Sequence, residues 1–436
     1  MYGSKFLKLE PRLKKRYERL VMSHSNSTAA LSAGVKALAD GSKTFAHTQA
    51  LWRFLNNENV TPESLSAPVV VACHEALTQC EGDYALCVHD WSRINYGGHV
   101  SKEDRLQMTH VTDIGYELQS SLLVNAQDGN PLSVAAQNLV SAEGIWQSRQ
   151  AKIQVNDQTH LDELSERMAW IEAQQFAKTL VHIVDREADS VSHLRQWSQQ
   201  GSLWLVRAKA GSRVRYGDGD MSLSAVAEHL SFQQTRHVTC KGQVCTQWIA
   251  GTVVVLARKA KPKRTDSQGQ RVKPVEGEAL AARLVVSNIV NMDGDLVAQW
   301  YLLSNVDDHV DDAQLALWYY FRWQIETFFK LIKGAGHQLE SWEQETARAI
   351  FNRLLIATQA CVTAWALMAA PGEAAAAARQ FLVRLSGRQT KRARPVTIPA
   401  LLAGLFTLFT MLETLEHYSL SDLKAFAHVA QNRLNL

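Results

Sequence analysis

Two hydrophobic patterns succeed one another along the chain. Through the first 70 residues, apolar positions recur at helical spacing, as in Ser32–Ala39 and Thr48–Asn56, which predicts amphipathic helices. From about residue 84, short apolar runs alternate with two helical stretches, His160–Ala177 and Ser190–Gln199. The runs predict strands, and they are Tyr84–His89, Glu117–Val124, Leu132–Val140, Leu180–Val184 and Leu203–Arg207. Strands interleaved with helices predict an α/β fold, in which helices cover a mixed sheet.

The pattern changes again over residues 211–300. Gly211, Gly217 and Gly219 indicate loops. Four β-rich runs follow these glycines, namely Arg236–Cys240, Val244–Ala257, Ala282–Val290 and Leu296–Leu303. We predict that 211–300 is a β-rich insertion that interrupts the α/β domain.

Helical spacing returns after this insertion. Asp311 and Asp312 can cap a helix, which we expect to run to Lys333 and to break at Gly334 and Gly336. A helical C-terminal region follows. An uncharged apolar stretch of 17 residues runs over 354–370, and a membrane span needs about 20. We therefore expect a buried helix of a soluble protein.

Length and composition indicate a folded chain with more than one domain. The chain has 436 residues, 46% of them hydrophobic and 20% charged, which excludes disorder, collagen and coiled coil as the overall class. We predict helical regions at 1–70 and 366–436 on either side of an α/β domain at 71–365. The six cysteines lack zinc-ligand spacing and predict free thiols in a reducing cytosol. The basic first 21 residues have no apolar run and predict no signal peptide.

A net charge of only +3 conceals three basic clusters. They lie in the first 19 residues, in 258–273 and in 379–394. The middle cluster is flanked by predicted strands and is expected to form a long hairpin or loop. Basic clusters are either solvated surfaces or sets of phosphate contacts.

Two aspartates follow apolar strands directly. Asp90 comes after Leu86–His89, and Asp185 comes after Val181–Val184. Carboxyl ends of central strands are where α/β proteins place their sites. A strand-end turn or a helix cap is the structural alternative for either residue alone.

Glu326 is the third candidate carboxylate. On a continuous helix at about 100° per residue, Tyr319, Arg322, Glu326 and Lys333 fall within an arc of about 60°. A helix that faces only solvent would not collect an aromatic ring, two cations and a carboxylate in one stripe. An ordinary surface salt bridge between Arg322 and Glu326, spaced i, i+4, is the alternative.

Three carboxylates form an all-oxygen ligand set that suits Mg²⁺ or Mn²⁺. Two such ions about 4 Å apart can activate an attacking oxygen and stabilise the leaving oxygen in phosphoryl transfer. Nearby cations would bind the phosphates, and these are Arg207, Lys209, Arg322 and Lys333. The 15 histidines are scattered and match no HExxH or Ser-His-Asp signature. Dinucleotide and P-loop fingerprints are also missing from the sequence.

These residues together resemble a known family. Asp90 in Val-His-Asp-Trp-Ser, the run Asp-Arg-Glu-Ala-Asp from Asp185, and the series Tyr319-x2-Arg322-x3-Glu326-x6-Lys333 resemble the DDE transposases of the insertion-sequence-four family. That family carries a DREAD sequence and a Y-R-E-K signature. The similarity covers the chain up to about residue 365, whereas the C-terminal region is similar only in being helical.

The resemblance implies a ribonuclease-H-like catalytic core, with a β-rich insertion before the helix that bears the last carboxylate. By motif position, Asp90, Asp185 and Glu326 correspond to the catalytic and metal-binding triad. The remaining correspondences are phosphate binding by Arg207, Tyr319, Arg322 and Lys333, and base stacking by Trp300. For Trp300, a place in the core is the alternative.

The resemblance further implies a cut-and-paste transposase that uses two Mg²⁺ ions, or Mn²⁺ in their place. It implies a homodimer on DNA in a prokaryotic cytoplasm, with terminal inverted repeats bound by the region 1–70. The C-terminal region would serve dimerisation, and no membrane would be involved. Water would free a 3′ hydroxyl at each end, a hairpin would form and open, and the 3′ ends would then join target DNA.

Two other functions remain open from the sequence. One is a structure-selective, metal-dependent nuclease without strand transfer. The other is a DNA-binding protein that derives from a transposase and no longer catalyses a reaction.

Overall fold

The computed structural model describes residues 8–25, 44–155, 158–240, 242–261, 270, 272–335, 337–387 and 396–434. Three predictions fall partly or wholly on other residues. The described residues do not include the predicted helix Ser32–Ala39, most of the basic cluster 258–273, or the last part (388–394) of the basic cluster 379–394.

Helices cover both ends of the chain and separate its strands. Within the described residues they are α1 (Pro11–Ser25), α2 (Thr44–Leu55), α3 (Pro62–Gln79), α4 (His160–Glu172), α5 (Val191–Gln199), α6 (Leu223–Glu228), α7 (Asp312–Phe321), α8 (Trp323–Lys330), α9 (Ala347–Ala369), α10 (Glu373–Leu385), α11 (Ile398–His417) and α12 (Leu420–Leu434). The predicted helix His160–Ala177 is shorter than expected. It ends at Glu172, and Gln175 then adopts a positive φ of 53°, which no helix continues through.

The strands form one continuous sheet. They are β1 (Tyr84–Asn95), β2 (Leu106–Gln107), β3 (Ile114–Asn125), β4 (Pro131–Ser141), β5 (Gly144–Gln147), β6 (Thr179–Val184), β7 (Leu203–Ala208), β8 (Arg213–Tyr216), β9 (Gly219–Ser222), β10 (Gln233–Cys240), β11 (Gln243–Leu256), β12 (Leu280–Val290) and β13 (Leu296–Ser304). Their order is β5-β4-β3-β1-β6-β7-β13-β12-β11-β8-β9, with β10 on β11 and β2 on β3. The predicted mixed α/β class is confirmed.

The centre of the sheet explains where the strand-end residues meet. β1 runs antiparallel to β3 and parallel to β6, and β6 runs parallel to β7. The last β1–β6 pair is His89 with Val184, so the next residue on each strand is Asp90 and Asp185. The last β6–β7 pair is Val184 with Val206, which brings Arg207 beside Asp185 in the same way.

The predicted insertion does not form a separate layer. β13 pairs antiparallel with β7, and β12 and β11 follow in order. The insertion therefore extends the same sheet. One edge of β7 pairs with β6, and the other edge is available to pair with β13. The short hairpin of β8 and β9 and the short helix α6 were not predicted. Their sequences are too short to show a hydrophobic period.

Two described helices, α9 and α11, are long and apolar enough to cross a membrane by length and composition alone. The most apolar window of α9 is 83% buried inside the protein, and this helix packs against α1, α3 and β4. Its apolar character thus serves the core, as expected for residues 354–370. The corresponding window of α11 is only 33% buried.

Helix α4 covers the face of the sheet opposite α8 and is fixed at its first residue. The His160 Nε2 atom lies 3.0 Å from Glu117 Oε1 on β3. Thr159 caps the helix by accepting from the backbone N–H of Asp162. The hydrogen bond to Glu117 raises the pKa of His160, and burial only partly opposes it. Although burial of Glu117 opposes the effect, His160 lowers the pKa of that carboxyl group.

The β1–β3 register depends on the missing side chain of Gly115. A Cβ atom at this position would lie 1.9 Å from the carbonyl oxygen of Ile94. We expect Gly115→Ala to lower the free energy of unfolding in urea by about 1–3 kcal/mol, because the strands must separate to admit the methyl group. Gly98→Ala is the matched control, since nothing lies within 4 Å of its Cβ position. Equal stability of the two variants would contradict this account of the register.

The pairing of His160 with Glu117 predicts a pH dependence. The folded pKa of His160 should exceed 6.5, its ordinary value, so this histidine stabilises the fold fully below about pH 6.5 and loses that effect as the pH rises through the folded pKa. The lowered Glu117 pKa acts oppositely, and its stabilisation disappears as the pH falls through that pKa. An NMR titration should show the His160 pKa falling in Glu117→Gln but not in Glu166→Gln, which alters the exposed face of α4. An unchanged His160 pKa in Glu117→Gln would argue against the pairing.

Candidate active site

Asp90 lies on β1 at the sheet centre, on the face covered by α8. Its Oδ1 atom accepts from the backbone N–H of Trp91 at 2.9 Å, and its Oδ2 atom accepts from Arg322 Nη1 at 2.8 Å. The side chain is 21% exposed. Burial raises the pKa of Asp90 above its ordinary value, although Arg322 and the Trp91 N–H act against this shift.

Asp185 follows β6 and caps a short 3₁₀ turn, Arg186–Ala188. The Tyr319 hydroxyl donates to Asp185 Oδ1 at 3.2 Å, and Arg207 Nη1 lies 3.9 Å from the same oxygen. Burial raises the pKa of Tyr319 far above its ordinary value, and Asp185 adds to that rise. Tyr319 therefore stays protonated and acts as a hydrogen-bond donor to Asp185.

Glu326 lies in the first turn of α8, and here the structure corrects the predicted continuous helix. α7 ends at Phe321 and α8 begins at Trp323, with a tight turn at Arg322 whose N–H bonds the Tyr319 carbonyl. Beyond Lys330 the chain winds into a π-helical turn, Leu331–Ala335. The stripe calculated for a straight helix therefore does not describe this segment, because Tyr319 precedes the turn, Glu326 follows it and Lys333 lies in the π-helical turn.

One guanidinium group connects the three predicted carboxylates. Arg322 Nη1 lies 2.8 Å from Asp90 Oδ2, whereas Arg322 Nη2 lies 2.9 Å from Glu326 Oε1 and 3.9 Å from Asp185 Oδ2. The Arg322 side chain is only 9% exposed. Burial lowers its pKa, but Tyr319 and the three carboxylates outweigh that effect and raise it. The sequence thus predicted correctly that these carboxylates meet, whereas it assigned Arg322 to phosphate.

Lys333 lies apart from this cluster. Its Nζ atom donates to the Arg93 carbonyl at 2.6 Å and lies 3.1 Å from Glu340 Oε1. The π-helical turn accounts for this position, because it rotates Lys333 away from the direction that a straight helix would give. Lys333 nevertheless lines the same open cleft as Asp90 and Glu326, whose volume is about 720 Å³.

Ser92, Lys330 and Glu340 also line this cleft, although they are not among the predicted site residues. Glu340 also accepts from the backbone N–H of Asn95 at 3.0 Å. It belongs to a short 3₁₀ turn, which has no periodic signal in the sequence. Lys330 could have been found, because it lies one helical turn after Glu326.

Trp300 is half-buried on β13. Its ring packs edge-to-face against Tyr319, with ring centroids 5.6 Å apart and planes at 63°. The Trp300 ring thus contacts Tyr319 of the site and also packs against the hydrophobic core. Its position fits both base stacking and a role in the core.

The DREAD run divides into two structural parts. Asp185 faces the site, whereas the Asp189 side chain is 1% exposed and turned away from it. Asp189 accepts from the Lys209 backbone N–H at 2.9 Å, and it also binds the Ser212 hydroxyl and the Arg258 guanidinium. Lys209 itself is exposed.

A second polar assembly lies on the opposite face of β1, under α4. His89 Nε2 lies 2.8 Å from His182 Nδ1, His89 Nδ1 lies 2.9 Å from Ser121 Oγ, and His182 Nε2 lies 2.9 Å from Glu172 Oε1. The ligand atoms of Cys87, His89 and His182 lie within 4.8 Å of one another. One assignment of the two histidine tautomers satisfies every hydrogen bond in this series from Ser121 to Glu172. Scattered histidines gave no sign of it in the sequence.

The three carboxylates fit a divalent cation. They offer only oxygen ligands from two strand ends and one helix, the set that Mg²⁺ and Mn²⁺ prefer. Three carboxylates face Arg322, and Arg207 lies 3.9 Å from one of them, so these five side chains carry more negative than positive charge. That excess is what a divalent cation would neutralise.

Part of the chain is similar to a known protein family. Residues 145–361 match the family described as "Transposase DDE domain", so Asp185, Arg207 and the residues from Trp300 to Lys333 lie within the match and Asp90 precedes it. No curated protein matches the chain.

Seven chains of solved structures match. One is the cryo-EM structure of the piggyBac transposase synaptic complex with hairpin DNA, which is 11% identical, covers 97% of this chain and 76% of that chain, and has a TM-score of 0.39. At that TM-score the likeness supports no residue assignment. The similarity to the transposase DDE family is limited to residues 145–361.

Proposed function

We propose that the chain is a cut-and-paste DNA transposase of the insertion-sequence-four type. The observation that carries the proposal is the convergence of Asp90, Asp185 and Glu326 on Arg322 at the end of two parallel strands. Two of these carboxylates lie within the transposase DDE match. The Y-R-E-K spacing supports the finer assignment.

A ribonuclease-H-like core is part of this proposal. In its support, β4, β3 and β1 are consecutive antiparallel neighbours, and β6 and β7 then add in parallel. α4 precedes β6 and α5 precedes β7, as parallel pairing requires a crossover. In this assignment β11–β13 form the insertion before the helix that bears Glu326.

Asp90, Asp185 and Glu326 would hold two Mg²⁺ ions, or Mn²⁺ in their place. When bound, such ions activate the attacking oxygen and stabilise the leaving oxygen of an in-line displacement. Tyr319 orients Asp185 through its hydroxyl group. Because hydrolysis, hairpin formation, hairpin opening and strand transfer are all displacements at phosphorus, one such site serves each step.

Cationic and aromatic side chains around the triad would bind the DNA end. Arg207, Arg322 and Lys333 are assigned to phosphates, with Tyr319 beside them, and Trp300 to an extruded base. Terminal inverted repeats are assigned to the region 1–70, in which Lys8, Arg12 and Lys15 are exposed. This function places the protein on DNA in a prokaryotic cytoplasm.

A homodimer is proposed from the apolar surface of the C-terminal helices. Met411, Leu412 and Leu415 on α11 and Phe426 on α12 are each about half exposed. Large contiguous apolar patches are rare on monomeric proteins, so we propose that a partner covers these side chains. A second copy of the chain is the proposed occupant, because each DNA end needs its own active site in one synaptic complex.

Substitution of the triad tests the catalytic assignment. Asp90→Asn, Asp185→Asn and Glu326→Gln should each reduce Mg²⁺-dependent cleavage of a plasmid that carries the gene with its flanking DNA by at least about a hundredfold, because each removes a metal ligand. DNA binding in a gel-shift assay should remain.

Glu187→Gln is the matched control, since Glu187 belongs to the same DREAD run but is 65% exposed and lies outside the cluster. Cleavage that survives loss of Asp90 or Glu326 would contradict the assignment. Cleavage without joining of precleaved ends to a target plasmid would favour the nuclease, and DNA binding without any metal-dependent cleavage would favour the silent DNA-binding protein.

The dimer predicts a response to charge on α11. Leu412→Glu with Leu415→Glu should weaken dimerisation at least about tenfold, because each buried leucine contributes about 1.5–3 kcal/mol. Light scattering after size exclusion measures the mass with and without DNA. Glu416→Gln, an exposed change on the same helix, should have no effect. A wild-type chain that stays monomeric on DNA would exclude this dimer.

A further inference from the structure

Arg322 binds the very oxygens that the proposed metal ions need. Its two terminal nitrogens lie 2.8 Å from Asp90 Oδ2 and 2.9 Å from Glu326 Oε1. A third oxygen, Asp185 Oδ2, lies 3.9 Å from Nη2. Contacts to all three members of the triad distinguish Arg322 from Arg207, which lies 3.9 Å from Asp185 Oδ1.

A guanidinium group and a divalent cation would compete for these carboxylate oxygens. Both carry positive charge, and at separations near 4 Å charge repulsion in a partly buried site amounts to several kcal/mol. Arg322 must therefore move outward when a cation binds between the carboxylates.

The surroundings of Arg322 offer such an outward position. The residue lies at the break between α7 and α8, where Arg322 itself forms the connecting turn. Its neighbour Trp323 is 50% exposed, and the Trp323 ring lies 5.9 Å from Arg322 Cζ. A guanidinium displaced from the carboxylates toward this exposed ring would be more accessible to solvent and could bind a phosphate bidentately.

We infer that Arg322 exchanges between the triad carboxylates and a DNA phosphate, and thereby couples divalent-metal binding to DNA binding. This inference rests on the proposed function, because it uses the same triad. DNA that takes Arg322 away frees the carboxylates for metal, and metal that displaces Arg322 frees it for DNA. By linkage, each ligand must raise the affinity for the other by the same factor. Arg322 is thus a positioning residue that keeps the site weakly metal-binding until DNA is present.

The first test measures Mn²⁺ binding without DNA. Electron paramagnetic resonance reports the concentration of the free ion. Arg322→Gln should bind Mn²⁺ at least about tenfold more tightly than the wild type, because no guanidinium then competes for the carboxylates. Arg322→Lys should fall between the two, since an ammonium group retains the charge without the planar fork.

Arg93→Gln is the matched control. It removes the same charge from β1, but Arg93 pairs with Asp113 rather than with the triad. Its Mn²⁺ affinity should stay within about twofold of the wild type, because exposed charges act weakly at a distance. Circular dichroism verifies that each variant is folded.

The second test measures the coupling from the DNA side. Ca²⁺, at constant ionic strength, should raise the affinity of the wild type for a short fluorescent duplex about fivefold, within the usual range of coupling energies. Arg322→Gln should bind that duplex more weakly and should lose this response, whereas Arg93→Gln should keep it.

The outcomes separate this inference from the proposed function. If Asp90→Asn and Glu326→Gln weaken Mn²⁺ binding but Arg322→Gln leaves it unchanged or weakens it, the exchange is wrong and the metal triad stands. If Asp90→Asn and Glu326→Gln do not alter Mn²⁺ binding, the proposed function itself fails. A Ca²⁺ response that persists in Arg322→Gln would also overturn the coupling.

Discussion

Repulsion among three like charges is the constraint on which the site depends. Asp90, Asp185 and Glu326 come from distant parts of the chain, and Arg322 lies between their carboxylates. The backbone supplies the positions through strand register, and the guanidinium supplies the compensating charge. Neither suffices alone, since partly exposed carboxylates held together without a cation would still take up protons or separate.

Much of this site could be predicted from the sequence because its chemistry coincides with regular structure. Asp90 and Asp185 end apolar runs, and parallel pairing of those runs makes such ends neighbours. The same reasoning located Arg207 at the end of β7. Glu326 and Arg322 are separated by one helical turn, so their proximity required only local geometry.

The remaining features depend on geometry that a periodic pattern does not contain. The turn at Arg322 and the π-helical turn at Lys333 interrupt a run that reads as one helix, and they send Lys333 to the Arg93 carbonyl. Whether the insertion forms its own layer or extends the sheet depends on which edge β13 pairs with, and both arrangements share one pattern of strands. The hydrogen bonds that connect Ser121 to Glu172 through His89 and His182 depend on the pairing of two strands, because the two histidines are 93 residues apart in the sequence.

The contacts of Asp189 have a consequence for the mechanics of the molecule. This aspartate, four residues after Asp185, fastens the loop after β7 through Lys209 and Ser212, and it reaches Arg258 just beyond β11. The same short stretch of chain therefore carries a candidate catalytic carboxylate at one end and a structural anchor at the other. Strain arising in the outer strands would therefore reach Asp185 through a segment only four residues long, most of which is the 3₁₀ turn Arg186–Ala188.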